Sequence, residues 1–189
     1  SDGLIRLEVL SAPEHIGEVV RCRVEDGGIL TERKGINVPR TLVKLPAVGP
    51  HDLDCLEHAL SQNVDFIAVS YVRNASDLAP ARERIKEAGV HTWIVAKIEH
   101  PAALEKLNEI VEAADVVMVA RGDLGVEIPL EEVPAAQERI VSACLERGTP
   151  VVVATQMLES MVNHARPTRA EVTDVATAIR QHVSAVMLS

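Results

Sequence analysis

The strongest constraint on the fold is a repeating pattern after residue 50, in which short apolar runs alternate with helical segments. A strand in which every residue is apolar must be covered on both faces, which is typical of a parallel sheet with helical crossovers. The pattern therefore predicts an α/β fold with five parallel strands. The predicted strands cover residues 66–69, 93–96, 116–119, 151–154 and 185–188.

Helix signals separate these strands. Helices are predicted over about 50–62, 75–87, 101–113 and 130–147, with Gly148 ending the last of these. Thr168 and Glu171 have the spacing of a capping box, which predicts that a final helix begins there. Each predicted strand except the last is thus followed by a helix.

Five βα units are compatible with a doubly wound sheet or with part of a (β/α)₈ barrel. No glycine-rich phosphate fingerprint follows any of the strands, which weakens the dinucleotide-binding alternative. A complete barrel needs eight strands and typically about 250 residues. We therefore expect a partial TIM (β/α)₈ barrel of five units that is truncated at Ser189.

The first 40 residues have a different pattern of apolar and polar residues. Alternation at period two over 4–10 and 18–24, a turn at 26–28 and a short strand at 29–31 predict a small antiparallel meander. Such a meander is too short to be a complete domain. We expect residues 1–40 to form part of a β domain, and residues 41–189 to form the partial barrel.

Composition narrows the function classes. The net charge is −9 and no basic stretch could track phosphates, which argues against a nucleic-acid partner. No apolar run reaches the roughly 18 residues of a membrane span, and the first residues do not resemble a signal peptide. The odd, scattered set Cys22, Cys55 and Cys144 indicates a reducing compartment, so we expect a cytoplasmic protein.

Polar side chains follow every predicted strand. In parallel α/β architectures the carboxyl ends of the strands carry the active site. Five polar strand ends in register are hard to explain as surface decoration, so the sequence predicts a functional site at this edge. The residues are Ser70 to Arg73, then Lys97 and Glu99, then Arg121 to Asp123, then Thr155 and Gln156, and finally Ser189.

Glu99 and Asp123 follow successive strands and can be neighbours. Two carboxylates without a Cys or His partner suit a hard cation such as Mg²⁺. Lys97 projects to the same face as Glu99 because side chains alternate along a strand. A lysine beside a metal can stabilise negative charge that moves during phosphoryl transfer or enolisation.

Structural alternatives exist for each of these residues. Lys97 and Glu99 could be a buried ion pair, and Asp123 could simply cap a short helix. Arg121 could be a surface residue or the partner of a nearby acid, and Thr155 could be structural. None of the seven histidines shows the helical spacing of a metal site.

Several stretches match a known family in order and spacing. The matching stretches are 2–5, 34–39, 45–48, 97–99, 118–129, 154–161, 166–171 and 187–189. Along essentially its whole length the chain resembles the pyruvate kinase family. The resemblance implies the second part of the family's small β-barrel lid domain, followed by the last five strands of the catalytic barrel.

The resemblance also implies an activity. Such an enzyme transfers the phosphoryl group of phosphoenolpyruvate to ADP, giving pyruvate and ATP in glycolysis. The implied cofactors are Mg²⁺ or Mn²⁺, together with K⁺ whose ligands are not in this chain. The implied assembly is a homotetramer. The isolated 189 residues are expected to lack turnover and to be poorly stable.

The resemblance assigns roles to individual residues. Glu99 and Asp123 would bind the metal, and Lys97 would stabilise the transferring phosphoryl group. Backbone amides around Arg121, Gly122 and Asp123, with the Thr155 hydroxyl, would hold the substrate carboxylate. Thr155 would also lie near the face where the enolate is protonated. Two further contacts are implied, from Ser70 at the pocket edge and from Lys34 to nucleotide phosphates.

Departures from the family pattern are few. His100 replaces an asparagine, Arg40 replaces a glycine, and residues 180–183 lack the usual Asp-Gly turn. None of these lies among the proposed metal ligands. Two other readings stay open, a Mg²⁺-dependent 2-keto acid aldolase or lyase on a related barrel, and a non-catalytic remnant.

Overall fold

The computed structural model describes residues 4–11, 15, 17, 19–32, 34–39 and 45–188. The chain divides into two compact units, Ser1–Pro39 and Arg40–Ser189. The sequence predictions that concern Asp2, Gly3, Arg40 and Ser189 fall outside the described residues.

The first unit contains a two-stranded antiparallel sheet. Its strands are β1 (Arg6–Ser11) and β2 (Arg21–Asp26), with irregularities in the register near both ends of β1. The prediction of a further strand at 29–31 is wrong, because this segment belongs to no ladder. A run of only three residues makes too few ladder hydrogen bonds to offset the entropy of ordering it.

The second unit is built on a five-stranded parallel sheet, which confirms the predicted α/β fold. The strands pair in the order β3-β4-β5-β6-β7, so chain neighbours are always sheet neighbours. A doubly wound sheet would contain a reversal of this order. The strands are β3 (Phe66–Val69), β4 (Trp93–Ile98), β5 (Val116–Ala120), β6 (Val151–Met157) and β7 (Ala185–Leu188).

The described residues contain seven α-helices, the first of which precedes β3 while the other six lie between the strands, together with 3₁₀ turns at Ala75–Leu78, Leu130–Glu132 and Glu159–Val162. The helix predicted over 101–113 is in fact two helices that break at Lys106, where no glycine or proline explains the break. Among the described residues no helix has both the length and the apolar character needed to cross a bilayer. The helices are α1 (Pro50–Ser61), α2 (Ala79–Ala88), α3 (Pro101–Glu105), α4 (Leu107–Ala113), α5 (Arg121–Glu127), α6 (Val133–Arg147) and α7 (Arg169–Arg180).

Two helix ends follow directly from the sequence. Helix α6 ends at Gly148, whose φ of 71° is left-handed, as the C-terminal glycine predicts. Helix α7 begins with the predicted capping box, in which Thr168 and Glu171 satisfy each other's backbone amides. After α7, His182 takes a left-handed φ of 61°, a conformation that glycine would adopt at lower cost.

The two faces of the sheet are covered differently. Ile94, Ala96 and Ile98 of β4 are fully buried in the main core, which includes side chains from the helices. The opposite face carries a small second cluster made only of strand residues, with Val95 and Met118 among them. The helices therefore cover one face of the sheet.

The cysteines provide a test of this packing. Cys144 is fully buried on α6, and burial raises the pKa of its thiol to about 12, whereas Cys22 and Cys55 are exposed. Because only the thiolate reacts, we expect a thiol-specific reagent at mildly alkaline pH to modify two thiols in the native chain. The third should react only after addition of denaturant. Three equally fast thiols would contradict the packing of α6.

Candidate functional site

Three of the predicted site residues meet at the carboxyl edge of the sheet. The Nζ atom of Lys97, on β4, lies 2.6 Å from Oε1 of Glu99 and donates a hydrogen bond of 2.9 Å to Oγ of Ser70. Ser70 directly follows β3, and Glu99 directly follows β4. The alternating pleat puts Lys97 and Glu99 on the same side, as predicted, and the adjacent strand supplies Ser70.

Glu99 is a buried carboxylate whose two oxygens have different partners. Only 1% of its surface is exposed, and Oε2 accepts a hydrogen bond of 2.6 Å from the amide of Tyr71. Oε1 is also buried and, among the described residues, accepts no hydrogen bond of good geometry, although it pairs with the ammonium of Lys97. A buried carboxylate oxygen that has only this ion-pair contact can accept a further partner.

Loss of hydration raises the pKa of Glu99, and the negative charge of Asp123 raises it further. The ammonium of Lys97 and the hydrogen bond from the Tyr71 amide oppose this rise. Asp123 itself is half-buried in the first turn of α5. The negative charge of Asp123 therefore acts on the carboxylate of Glu99.

A third carboxylate adds to the negative charge. The pKa of Tyr71 is raised by burial and by the charges of Asp123, Glu99 and Glu127, in that order. Oε2 of Glu127 is buried without a hydrogen bond among the described residues, and Nε2 of His100 lies 3.9 Å from it. In the described part of the chain, no three His, Cys, Asp or Glu side chains are grouped closely enough to ligate a metal alone.

Thr155 and Gly122 are in direct contact. The amide of Gly122 donates a hydrogen bond of 2.8 Å to Oγ1 of Thr155, and this hydroxyl donates to the carbonyl of Ala154 at 2.6 Å. A Cβ atom at position 122 would lie 3.4 Å from the methyl group of Thr155. The glycine thus lets the start of α5 approach β6 closely. The predicted substrate-carboxylate residues are adjacent, and here they bind each other.

Backbone strain is concentrated at the same edge. Thr155, Gln156 and Leu158 have φ values of 69°, 57° and 56°, and Tyr71 after β3 has a φ of 52°. These left-handed conformations are rare for residues other than glycine and are outliers for a β-branched threonine. The pairing of β6 with β7 is interrupted between Val153 and Met157, where this segment bends. Strain of this kind clusters at functional sites.

The guanidinium of Arg121 binds groups on β6 and α7. Its Nη1 atom donates to both carboxylate oxygens of Asp174 at 2.7 and 2.8 Å. Nε and Nη2 donate to the carbonyls of Ala154 and Thr155 at 3.2 and 2.5 Å. The side chain of Arg121 is thus the ion-pair partner of a nearby acid, which was the structural alternative for this residue. Its backbone amide is next to that of Gly122 in the chain.

Two contacts of the site have no sequence signal, although Tyr71 itself belongs to a predicted strand end. Asp174 is separated from Arg121 by 53 positions, and Tyr71 contributes its amide rather than its side chain. No motif or residue spacing in the sequence predicts either contact. Lys34, the predicted nucleotide contact, is exposed in the first unit.

The segment after β6 is fixed by Glu171. Its carboxylate accepts hydrogen bonds from the amide and hydroxyl of Ser160, at 2.8 and 2.5 Å, and from the amide and hydroxyl of Thr168. The bonds from Ser160 contribute most to lowering the pKa of Glu171 to about 2. The carboxylate therefore ties the turn after the strained strand end to the start of α7.

When folding lowers the pKa of a carboxyl group, that group stabilises the folded chain at any pH above its pKa in the unfolded chain. The stabilisation is lost as the pH falls to the lower pKa of the folded chain. We expect Glu171→Gln to lower the thermal midpoint at pH 7. The difference from the wild type should shrink as the pH falls from 4.5 towards 2. Thermal scans across this range check the prediction, and a pH-independent difference would refute the assigned hydrogen bonds.

Two surface grooves of about 500 and 530 Å³ lie elsewhere, in the helical layer. The first is lined by residues of α3, α4 and α6, including Arg139, and the second by residues of and near α1 and α2, including Arg84. Neither is lined by a candidate site residue.

Comparison of the sequence with known proteins assigns the chain to a family. The family model described as "Pyruvate kinase, barrel domain" matches residues 1–189. The chain belongs to the pyruvate kinase family. The resemblance seen in the sequence is thereby confirmed, and the family is one of phosphotransferases.

Three relatives named pyruvate kinase illustrate the match within this family. Those from Geobacillus stearothermophilus and Dictyostelium discoideum are 49% and 46% identical over 189 residues, which is 100% of this chain. That from Methylorubrum extorquens is 50% identical over 188 residues. The chain covers 32%, 37% and 38% of the lengths of these three relatives, respectively. It thus spans about a third of the curated pyruvate kinases that it matches.

Proposed function

We propose that the protein carrying this chain transfers the phosphoryl group of phosphoenolpyruvate to ADP in a Mg²⁺-dependent reaction, giving pyruvate and ATP. One observation carries the proposal. The buried Oε1 of Glu99 pairs with the ammonium of Lys97 at 2.6 Å, without a hydrogen bond of good geometry among the described residues, and lies within the field of Asp123. A divalent cation would satisfy that oxygen, and the lysine would face anionic substrate groups.

Glu99 and Asp123 would hold a Mg²⁺ or Mn²⁺ ion. Mg²⁺ is usually held by one or two carboxylates, with substrate oxygens and water completing its shell, so a cluster of three protein ligands is not required. The excess negative charge at this edge favours a cation. When bound, such an ion neutralises the charge that develops on phosphoryl and enolate oxygens. K⁺ is a further expected cofactor, on family grounds alone.

Lys97 would act on the transferring phosphoryl group. Its Nζ is oriented by Glu99 and Ser70, and one quarter of its side chain is exposed, so it can reach a ligand. Phosphoryl transfer demands mainly positioning and electrostatic stabilisation, which a fixed ammonium supplies. Ser70 would thus define one side of the pocket.

The contact between Gly122 and Thr155 would hold the substrate carboxylate. The Gly122 amide is a donor and the Thr155 hydroxyl is both donor and acceptor, and they can exchange their mutual hydrogen bond for bonds to a ligand. The amides of Arg121 and Asp123 lie beside that of Gly122 in the chain. The Thr155 hydroxyl would also stand near the carbon at which the enolate is protonated, while Lys34 would contact nucleotide phosphates.

The architecture supports a barrel enzyme. Sequential parallel strands with helices on one face fit five units of a (β/α)₈ barrel, whose active site lies at the carboxyl ends of the strands. The antiparallel strands of the first unit would belong to a lid that excludes water from the reaction. We further propose a homotetramer in the cytoplasm, where the free cysteines would stay reduced.

The decisive assay compares two reactions in the intact protein that contains this chain. With Mg²⁺, phosphoenolpyruvate and ADP we expect ATP to form, and with a 4-hydroxy-2-oxo acid we expect no carbon–carbon cleavage. Cleavage without ADP phosphorylation would establish the aldolase or lyase alternative instead. Neither reaction, in a protein shown to be folded, would favour the non-catalytic remnant.

A further inference from the structure

Thr155 belongs to a strained segment that something must hold in place. The left-handed φ values of Thr155, Gln156 and Leu158 fall within four consecutive residues, and none of the three is glycine or asparagine. Conformations of this kind persist only where the surrounding structure over-determines them. The contacts of this segment therefore identify the groups that keep the Thr155 hydroxyl in its position.

Those contacts come from the first turn of α5. The guanidinium of Arg121 donates to the carbonyls of Ala154 and Thr155, at 3.2 and 2.5 Å. The next residue, Gly122, donates its amide to the Thr155 hydroxyl at 2.8 Å. Thr155 is thus held by its carbonyl and by its side chain at once, and rotation to a negative φ would break these bonds.

Asp174 fixes the guanidinium from the other side. Both of its carboxylate oxygens accept from Nη1 of Arg121, at 2.7 and 2.8 Å, and only 11% of the arginine side chain is exposed. A guanidinium is planar, so charge-assisted bonds on one of its nitrogens set the direction of the others. Asp174 lies on α7, 53 positions after Arg121 in the sequence.

We propose that the Arg121–Asp174 pair is a positioning device that holds the Thr155 hydroxyl ready for the substrate and so sets the turnover rate. The inference rests on the function proposed above, because it assigns Thr155 a place beside the reacting enolate. Arg121 and Asp174 act through Thr155, and their side chains do not touch the substrate. Small displacements of a reacting group are costly, since a shift of about 1 Å can reduce a rate about 100-fold.

The first test is Asp174→Asn in the intact protein, with Arg121→Lys as a second variant. The asparagine keeps the shape but loses the charge, and the lysine cannot serve two carbonyls and a carboxylate together. We expect kcat to fall by about 10- to 100-fold while the KM for ADP stays within about twofold. A kcat equal to that of the wild type in both variants would overturn the inference.

A glycine rescue separates positioning from simple loss of an ion pair. Glycine adopts positive φ without a steric penalty, so Gln156→Gly should make the segment less dependent on the pair. We expect Gln156→Gly to restore several-fold of the lost kcat in the Asp174→Asn background. The matched control is Asn63→Gly, which relieves a φ of 54° in the connection between α1 and β3 and should restore nothing. Equal rescue by both glycines, or by neither, would contradict the proposal.

The thermal midpoints of the same variants, measured without substrate, separate failure of this inference from failure of the proposed function. Gln156→Gly should raise the midpoint more in the Asp174→Asn background than in the wild type. If the wild type makes no ATP but this coupling is present, the proposed function fails and the holding of Thr155 stands. If the wild type makes ATP and the coupling is absent, the positioning inference alone fails.

Discussion

Replacing Lys97 by methionine in the intact protein is expected to lower turnover of phosphoenolpyruvate and ADP by about 1,000-fold or more. Loss of a single charged group that stabilises a transferring phosphoryl group costs roughly 10³–10⁵ in rate. Methionine keeps the length and most of the apolar stem of the lysine, so the packing against the strand face changes little. Steady-state rates of ATP formation measure the loss directly.

The same substitution leaves Glu99 without its ammonium partner, and this affects stability. Removing one member of a buried ion pair can cost about 3–5 kcal/mol because the other charge remains unpaired. Here the pKa of Glu99 is already raised by burial, so the carboxyl can take up a proton and limit the cost. Thermal midpoints should therefore accompany the rates. A variant that is folded but fully active would remove Lys97 from the mechanism.

Lys106→Met is the matched control for that experiment. Lys106 separates α3 from α4 in the helical layer, and more than half of its side chain is exposed, in a weak contact of 3.9 Å with Glu109. It carries the same charge but no candidate role. We expect its turnover to stay within about twofold of the wild type, because exposed pairs contribute little.

Replacing Glu99 by glutamine is expected to weaken divalent-cation binding by at least about 100-fold. Mutation of groups that merely support metal ligands costs about 10- to 100-fold in affinity, so loss of a ligand carboxylate should cost no less. Turnover at a fixed, low Mg²⁺ concentration should fall accordingly and recover in part when Mg²⁺ is raised. Mg²⁺ titrations of turnover and of the thermal midpoint measure both effects.

Glutamine is nearly isosteric with glutamate and can still accept the Tyr71 amide bond, so the fold should survive. A cation that binds only the folded protein raises its thermal midpoint in proportion to ln(1 + [L]/Kd). Mg²⁺ should therefore raise the midpoint of the wild type but not that of Glu99→Gln. Glu146→Gln, an exposed charge on α6, is the control and should respond as the wild type does. Equal Mg²⁺ responses in Glu99→Gln and the wild type would refute the ligand assignment.

The parallel strands could be predicted because each is a short run of apolar residues. Runs such as 116–119, in which every residue is apolar, admit few structures other than a buried parallel strand. The alternation of side chains placed Lys97 and Glu99 on one face, and the structure brings them within 2.6 Å of each other. The polar residues at the predicted strand ends were therefore enough to predict from the sequence where the candidate site lies.

The errors have a common cause, which is that tertiary contacts do not show in local patterns. The segment 29–31 has the composition of a strand but finds no ladder to join. Likewise, a left-handed φ is usually predicted from glycine or asparagine, and Thr155 is neither. Its conformation is held by contacts with Arg121 and Gly122, which the local sequence does not show. Asp174 reaches that arginine from 53 residues away, a distance that no motif spans.

The central claim is that the carboxyl edge of the sheet holds a divalent cation between Glu99 and Asp123. Anomalous X-ray scattering from Mn²⁺ in crystals of the intact protein tests it most directly, because it locates the ion without reference to turnover. We expect one strong anomalous peak within bonding distance of both carboxylates, and its loss in Glu99→Gln crystals grown in the same way. A Mn²⁺ concentration that supports ATP formation but leaves no peak beside Glu99 and Asp123 would contradict the claim.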